Sequence, residues 1–252
     1  MAKLEISGAT VDADLVIFDK DGTLIDFDHY WGQRMRLCGQ RLVQSVEGGA
    51  DLAADLFASL GYDPATGVTD GEGPLATATM AKIYTIATVV LYQHGIGWDK
   101  AEELVRTSFV ACASAMPTIE LVRTLGEVQA LFQELTWAGA RVAVVTSDDH
   151  DTAIETLALM GVNDLVHAVA GGDDGFAMKP APDAFVHVCE RLAITPSRAM
   201  MVGDTVADLV MAQRARAGVK VGVLSGVSTA AELAPYADFV IPSIDAIHIA
   251  HP

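Results

Sequence analysis

The chain has 252 residues, enough for one large domain or two modest ones, and 51% of them are hydrophobic, which is ample for a sizeable core. Its 33 acidic and 16 basic residues give a net charge of −17, so it repels nucleic-acid phosphates and we expect no nucleic-acid partner. Cys38, Cys112 and Cys189 are far apart and form no CxxC pair, which argues against a disulfide scaffold and against a structural zinc site.

Two features of the sequence argue against a membrane protein. Residues 1–5 contain no apolar run like that of a signal peptide, and the most apolar helical stretch, at 83–92, is too short to cross a bilayer. We therefore expect a cytoplasmic protein without a membrane partner.

The first predicted element is a short buried strand at 15–19, and it ends in Asp19-Lys20-Asp21-Gly22. Two like charges are costly to bury unless a cation or a chemical role compensates them. The pair therefore fits one carboxylate as nucleophile, the other as acid and base, and a divalent metal beside them. A solvated turn is the alternative. The spacing argues against a calcium loop, because such a loop needs glycine at its sixth position and this one has glycine at the fourth.

The next stretch, from about residue 27 to 116, contains no convincing strand. Its pattern predicts four or so helices, with breaks at glycine-rich turns, near 28–47, 50–60, 76–94 and 98–115. An all-helical block between two strands of a core is most simply an inserted domain. We expect it to cover the carboxyl edge of the sheet as a cap that opens and closes.

Strands and helices then alternate to the end of the chain, which predicts βαβ units and a parallel sheet. The predicted strands lie at 141–146, 166–170, 199–203, 219–224 and 239–241, and the helices at 127–137, 152–160, 182–192 and 206–216. The fold class is therefore α/β. We predict a doubly wound, Rossmann-like parallel sheet core of residues 1–26 and 117–252, with the all-helical cap at 27–116.

Three of these later strands lead into residues that suit the same site. Thr146 and Ser147 follow one strand, where a hydroxyl can bind an anionic oxygen, although both could simply precede a helix cap at Asp148 or Asp149. Lys179 follows the next strand after a glycine-rich loop. Asp204 and Asp208 follow a third, and either could be only a helix cap. Each motif is weak singly, but four in this order at strand ends favour a shared site.

With these motifs the chain resembles the haloacid dehalogenase-like hydrolase superfamily, and most generally its phosphoglycolate phosphatase-like branch. The matching segments are Asp19-Lys20-Asp21-Gly22-Thr23, Val145-Thr146-Ser147, Lys179-Pro180 and Gly203 to Asp208. The chain departs from the family pattern in two places. The loop Arg123-Thr124-Leu125-Gly126 lacks the Pro-Gly that members often carry, and Ser147 stands where many relatives have asparagine.

The resemblance implies hydrolysis of a small phosphate ester through an aspartyl-phosphate. Asp19 would attack phosphorus, and Asp21 would act as acid and then as base. Mg²⁺ would be bound by Asp19, by the backbone carbonyl of Asp21 and by Asp204. Asp208 would not contact the ion but would orient water molecules or Lys179. Lys179 and Thr146 would stabilise the phosphoryl oxygens.

The second aspartate favours a phosphatase over a dehalogenase, which lacks that partner, and over an ion pump, which carries threonine there. A phosphomutase of the same superfamily and a non-catalytic binding or regulatory protein on this fold stay open. Substrate choice is expected in the cap, and the candidate contacts are His29, Arg34, Arg41, Gly73 and Thr77, together with Ser147. A solvated helix face is the alternative for the two arginines. The sequence does not predict the oligomeric state.

Overall fold

The computed structural model describes residues 2–115 and 118–250, without the side chains of residues 113–119. In chain order its strands are β1 (Ala2–Ile6), β2 (Ala9–Ala13), β3 (Leu15–Phe18), β4 (Tyr62–Asp63), β5 (Val68–Thr69), β6 (Arg141–Val145), β7 (Ala168–Ala170), β8 (Ala199–Gly203), β9 (Val219–Val223), β10 (Phe239–Ile241) and β11 (Ile247–Ile249). Its α-helices are α1 (Gln33–Ser45), α2 (Ala50–Leu60), α3 (Pro74–Thr77), α4 (Met80–Gln93), α5 (Trp98–Ala115), α6 (Thr118–Leu121), α7 (Val128–Trp137), α8 (His150–Leu159), α9 (Asp183–Arg191), α10 (Val206–Ala215) and α11 (Ala230–Leu233). A π-helical turn, Asp28–Gly32, leads into α1.

The main sheet has six parallel strands in the order β10-β9-β8-β3-β6-β7. From β3 the chain runs outward to β6 and β7, and then returns to the other side of β3 for β8, β9 and β10. The strand order therefore reverses beside β3, and in open α/β sheets ligands bind at the carboxyl edge of such a point. This confirms the predicted α/β fold with a parallel sheet.

Alternate residues of β3 enter cores on opposite faces of the sheet. Val16 and Phe18 pack with one apolar cluster, whose helical members include Phe132 of α7. Leu15 and Ile17 pack with the other, whose helical members include Phe185 of α9. Both faces are covered by helices, so all four residues of β3 are buried and the strand reads as a continuous apolar run.

The chain divides into two compact units. One consists of residues 1–26 and 122–252 and holds the parallel sheet, and the other is the intervening segment 27–121, which we call the insertion. Where the insertion leaves and re-enters the first unit, Asp26 N donates to Arg123 O and Leu125 N donates to Leu24 O, both at 2.9 Å. The boundary predicted between residues 116 and 117 lies outside the described residues.

The insertion departs from the all-helical prediction at one place. Strands β4 and β5 pair antiparallel as a small hairpin between α2 and α3. Each strand has two residues, which is too short for any periodicity to be recognised. The other regular elements of the described insertion are helices, as predicted.

The cysteine prediction was wrong for one pair. Cys38 of α1 and Cys112 of α5 form a disulfide, and Cys189 is a buried free thiol. The two helices pack side by side, which brings together cysteines that are 74 residues apart in sequence. Such a distant pairing depends on the tertiary fold and leaves no mark in the cysteine spacing.

A second sheet was not predicted. Strands β11, β1 and β2 form an antiparallel sheet in that order. Alternate residues of β1 are buried, as a half-buried strand requires, and Ser7 and Gly8 turn the chain into β2 with φ of 51° and 78°. Within the part of the chain that the structure describes, no helix is long and apolar enough to cross a membrane.

Candidate active site

Three neighbouring strands of the main sheet deliver polar side chains to the same edge. Asp19 follows β3, Thr146 follows β6 and Asp204 follows β8. Phe18, the last residue of β3, is level with Val144 and Val202 on the flanking strands. Parallel strands in this register place their carboxyl ends side by side, so the predicted motifs meet at the point where the strand order reverses.

Lys179 lies between two of the aspartates. Its Nζ donates to Asp19 Oδ1 at 2.5 Å and to Asp208 Oδ1 at 2.6 Å. Its side chain is only 8% exposed, and burial alone would lower its pKa. The two carboxylates outweigh that effect and raise the pKa of Lys179, so the lysine is positively charged.

Asp208 is fixed by the start of α10. Thr205 caps the helix, and its hydroxyl accepts a hydrogen bond from Asp208 N, while Asp208 Oδ2 accepts from Thr205 N and Thr205 Oγ1. This reciprocal capping box, together with the bond from Lys179, engages both carboxylate oxygens of Asp208. Asp208 is therefore both a helix cap and part of the site.

Asp204 is held by two segments that flank it. Thr23 Oγ1 donates to its Oδ1 at 3.1 Å, and Val227 N donates to its Oδ2 at 3.0 Å. The loop that carries Val227 is itself tied to the turn after β3, since Ser225 Oγ donates to Gly22 O at 2.9 Å. The carboxylate is fully buried and has a fixed orientation.

The buried carboxylates perturb one another. Burial, reinforced by the charges of Asp208 and Asp21 and opposed by Lys179, raises the pKa of Asp19 to about 7. Burial also raises the pKa of Asp204, with the Asp19 charge adding to the effect. Crowded carboxylates with raised pKa values are typical of functional sites that are completed by a cation or a proton.

The residues present fit a divalent cation. Asp19, Asp204 and Asp208 each offer a carboxylate oxygen, and these atoms lie within 4.8 Å of one another. Lys179 supplies one positive charge against these three carboxylates, so two negative charges are left for a cation to offset. Hard oxygen donors of this kind are what Mg²⁺ prefers.

Asp21 points to a different partner. Lys20 Nζ donates to Asp21 Oδ1 at 2.7 Å and lies 3.2 Å from Asp148 Oδ2, without hydrogen-bond geometry to the latter. The Lys20 side chain is fully buried, and that of Asp21 is 12% exposed. The carboxylate of Asp21 is therefore not part of the Asp19, Asp204 and Asp208 group, which is compatible with the predicted metal contact through its backbone carbonyl.

Thr146 and Ser147 lie at the carboxyl end of β6, as predicted, but the cap of the following helix differs from the prediction. Thr146 is buried, and its Oγ1 accepts a hydrogen bond from Asp148 N at 3.1 Å. Ser147 is half-buried beside it. Helix α8 starts at His150 after Asp149, but the amide of His150 donates to the Asp173 carboxylate at 2.7 Å, so a residue of the glycine-rich loop serves as the cap.

The candidate substrate residues of the insertion are engaged within that unit. His29 Nδ1 lies 2.8 Å from Gln33 Nε2, and Arg34 Nη1 donates to Tyr30 OH at 3.3 Å. Arg34 also lies over the Trp31 ring, 5.4 Å from its centroid. The others bond to the backbone: Arg41 Nη1 to Ala111 O at 3.5 Å, and Thr77 Oγ1 to Gly73 O at 2.9 Å. Their predicted contacts with substrate stay predictions.

Several residues of this site were missed by the sequence analysis, namely Lys20, Thr23, Asp148, Ser225 and Val227. Ser225 and Val227 lie just after β9, so the rule that polar residues at strand ends meet could have found this loop. Lys20 stands inside the first recognised motif, and Asp148 directly follows the second. Only the directions of their side chains, which sequence spacing does not give, show that they meet.

Comparison with known proteins agrees with this geometry. The family model described as "Hydrolase: haloacid dehalogenase-like hydrolase" matches residues 13–216. The chain belongs to this family. The match covers the strands that supply Asp19, Thr146 and Asp204 and includes the insertion, so the predicted superfamily is confirmed.

Individual relatives point to one branch of the family. The phosphoglycolate phosphatase of Psychrobacter arcticus is 29% identical over 211 residues, which is 81% of each chain. The pyrophosphatase PpaX of Bacillus velezensis is 31% identical over 158 residues, covering 62% of this chain and 71% of its own. A solved Haemophilus somnus structure, described as a predicted phosphoglycolate phosphatase, is 18% identical with a TM-score of 0.67, covering 92% of this chain and 95% of its own. These relatives support the predicted branch and the prediction of a phosphatase-type hydrolase.

Proposed function

We propose that the protein is a Mg²⁺-dependent phosphatase that hydrolyses a small phosphorylated metabolite through an aspartyl-phosphate on Asp19. The observation that carries this proposal is the buried Asp19 carboxylate at the carboxyl end of β3, held by Lys179 beside Asp204 and Asp208. A carboxylate that only stabilised the fold would gain nothing from such crowding. A nucleophile at the point where the strand order reverses gains access to a bound ligand.

Asp19 attacks the phosphorus atom of the ester. A bond forms between its carboxylate oxygen and phosphorus while the bond from phosphorus to the leaving oxygen breaks. Water then cleaves the aspartyl-phosphate, which releases phosphate and restores Asp19. The bond from Lys179 orients the carboxylate for both steps.

Asp21 transfers the protons of the two steps. It gives a proton to the leaving oxygen in the first step and takes one from the attacking water in the second. Its position two residues after Asp19, in the turn after β3, supports this role, because proton transfer requires contact with the reacting oxygens.

Lys179 through its charge and Thr146 through its hydroxyl would stabilise the phosphoryl oxygens as their charge shifts in the transition state. A hydroxyl can accept and donate at once, so the bond that Thr146 accepts from Asp148 N leaves its O–H proton for a phosphoryl oxygen. Ser147 is a further donor candidate at the same strand end.

Asp19 and Asp204 would hold Mg²⁺ together with the backbone carbonyl of Asp21, and Asp208 would support them through Lys179 and α10. When bound, the ion supplies positive charge that offsets the carboxylates and the phosphate. The insertion, with His29, Arg34, Arg41, Gly73 and Thr77, would select the leaving group as a cap domain. The names of the phosphoglycolate phosphatase and pyrophosphatase relatives support a small phosphate ester or anhydride as the substrate class.

The experiment that tests this function measures phosphate release from 4-nitrophenyl phosphate and from a panel of phosphorylated metabolites. It is run with Mg²⁺, with chelator, and with the Asp19→Asn variant, whose side chain is isosteric but not nucleophilic. We expect Mg²⁺-dependent turnover that is lost in the variant.

The alternatives give different results in the same assay. A phosphomutase converts a sugar phosphate into an isomer without releasing stoichiometric phosphate, which product analysis detects. A binding or regulatory protein binds a panel member without turnover, and Asp19→Asn then has no activity to abolish. Turnover that persists in Asp19→Asn would contradict the proposed nucleophile.

A further inference from the structure

Lys20, the residue between the two motif aspartates, is a fully buried lysine whose side chain bridges two carboxylates. Its Nζ donates to Asp21 Oδ1 at 2.7 Å and lies 3.2 Å from Asp148 Oδ2. Neither the Lys20 side chain nor the Asp148 side chain has a part in the mechanism so far. The bridge joins the turn after β3 to the loop after β6.

The bridge is an expensive arrangement. Taking an ammonium and a carboxylate out of water carries a large desolvation penalty, and an apolar side chain of similar size would fill the same space without that penalty. Stability alone therefore does not explain the lysine. A buried lysine is explained if its positive charge is needed beside Asp21.

Asp148 is a rigid anchor for this lysine. Its Oδ1 accepts a hydrogen bond from Asp149 N at 2.9 Å, its backbone N donates to Thr146 Oγ1 at 3.1 Å, and its backbone O accepts from Gly172 N at 2.7 Å. The Asp148 side chain is 3% exposed. A group fixed in this way can hold the lysine in one position.

We propose that Lys20, anchored by Asp148, is a positioning residue that orients the Asp21 carboxyl group for proton transfer. By donating to Oδ1, Lys20 fixes the orientation of the Asp21 carboxyl group that gives the proton to the leaving group and takes one from water. Poorly aligned proton transfer loses much of its contribution to the rate. This inference rests on the proposed function.

The test exploits the leaving group. A good leaving group, 4-nitrophenolate, departs with little need of a proton, whereas phenolate depends on one. We expect Lys20→Met to lower kcat/KM for phenyl phosphate by about 10- to 100-fold, since general acid catalysis typically contributes 10²- to 10⁴-fold. The loss on 4-nitrophenyl phosphate should be several-fold smaller. Asp21→Asn should show the same selectivity with a larger loss.

Control variants at a more exposed ion pair, together with the Mg²⁺ requirement, separate this role from a general effect of losing a lysine. Lys220 pairs with Asp238 at 2.7 Å at the opposite end of the sheet, so Lys220→Met and Asp238→Asn should leave the ratio of the two substrates unchanged. In addition, Lys20→Met should need the same Mg²⁺ concentration for half-maximal activity as the wild type. Equal losses on both esters, or no loss, would overturn the proposal.

Asp148→Asn gives an independent test if Lys20→Met does not fold, because it keeps the lysine and the shape of the anchor. We expect the same selective loss on phenyl phosphate at smaller magnitude, and a loss equal on both esters would again overturn the proposal. Where both variants fold, the double variant should be no worse than Lys20→Met, because Asp148 acts through the lysine. A wild-type protein that cleaves neither ester would instead refute the proposed function, and this inference with it.

Discussion

At the scale of single residues, the site depends on how closely Asp19 and its neighbours are packed. Asp19→Asn keeps the size of the side chain and one oxygen that can accept from Lys179, but it removes the nucleophilic carboxylate. We expect kcat to fall by at least about 10³-fold, as for other nucleophiles that act in a unit with a proton-transfer partner. The measurement is phosphate release with Mg²⁺, and circular dichroism should show an unchanged fold.

Gly22 is a second residue whose substitution has a specific predicted effect on stability and activity. Its φ is +84°, and a Cβ there would collide with the Asp204 carboxylate, 2.7 Å from Cγ. Gly22→Ala should lower the free energy of unfolding by about 3 kcal/mol, the sum of left-handed backbone strain and overpacking, and should displace Asp204. Urea unfolding and phosphate release measure both effects.

Gly139 offers the matched control for that prediction. Its φ is +86°, nearly the same, but a Cβ there would meet nothing within 4 Å. Gly139→Ala should therefore cost only about 1 kcal/mol of backbone strain and leave activity intact. If the two variants lost equal stability and both kept activity, this result would contradict the close contact between Gly22 and Asp204.

At the scale of elements, the loop between β7 and Lys179 is held against the start of α8. Asp174 Oδ2 accepts hydrogen bonds from Gly171 N and lies 2.8 Å from His150 Nδ1. Burial alone would raise the pKa of Asp174, but the Gly171 amide and His150 outweigh it and lower that pKa. The ionised carboxylate therefore stabilises the loop.

The stabilising contribution of Asp174 depends on pH. A carboxyl group whose pKa is lower in the folded state stabilises the protein above its unfolded pKa, and that stability is lost as the pH falls through the folded value. Asp174→Asn should cost about 0.5 kcal/mol at neutral pH, since the group is partly exposed, and the difference should vanish in acid. Urea unfolding of both proteins at several pH values checks this. A difference that grew in acid would contradict the assignment.

At the scale of the whole molecule, the disulfide ties the first and last long helices of the insertion. Closing a loop of this length is worth about 4 kcal/mol in the chain-entropy model. We expect denatured, unreduced protein to show one reactive thiol, Cys189, and reduction to lower the midpoint of thermal unfolding. Cys189→Ala should leave the effect of reduction unchanged, whereas three reactive thiols before reduction would refute the pairing.

Local sequence patterns were enough to predict much of the fold and of the candidate site. The apolar runs that end in Asp19, Thr146 and Asp204 predict both the parallel sheet and the edge where these residues meet, because parallel strands share that edge. The sheet of β1, β2 and β11 was missed, since Ile247–Ile249 comes from the far end of the chain. The bridge from Lys20 to Asp148 was missed because side-chain direction is set by packing.

The central claim is that Asp19 carries the phosphoryl group during turnover, and trapping tests it most directly. The wild type and the Asp21→Asn variant, in which hydrolysis of the intermediate should be slowed, are mixed with 4-nitrophenyl phosphate and Mg²⁺, quenched, and treated with borohydride, which reduces an acyl phosphate to an alcohol. Mass spectrometry of the peptide containing residues 15–25 should show homoserine at position 19, with more in the variant. Homoserine at another aspartate, or none while phosphate is released, would contradict the account.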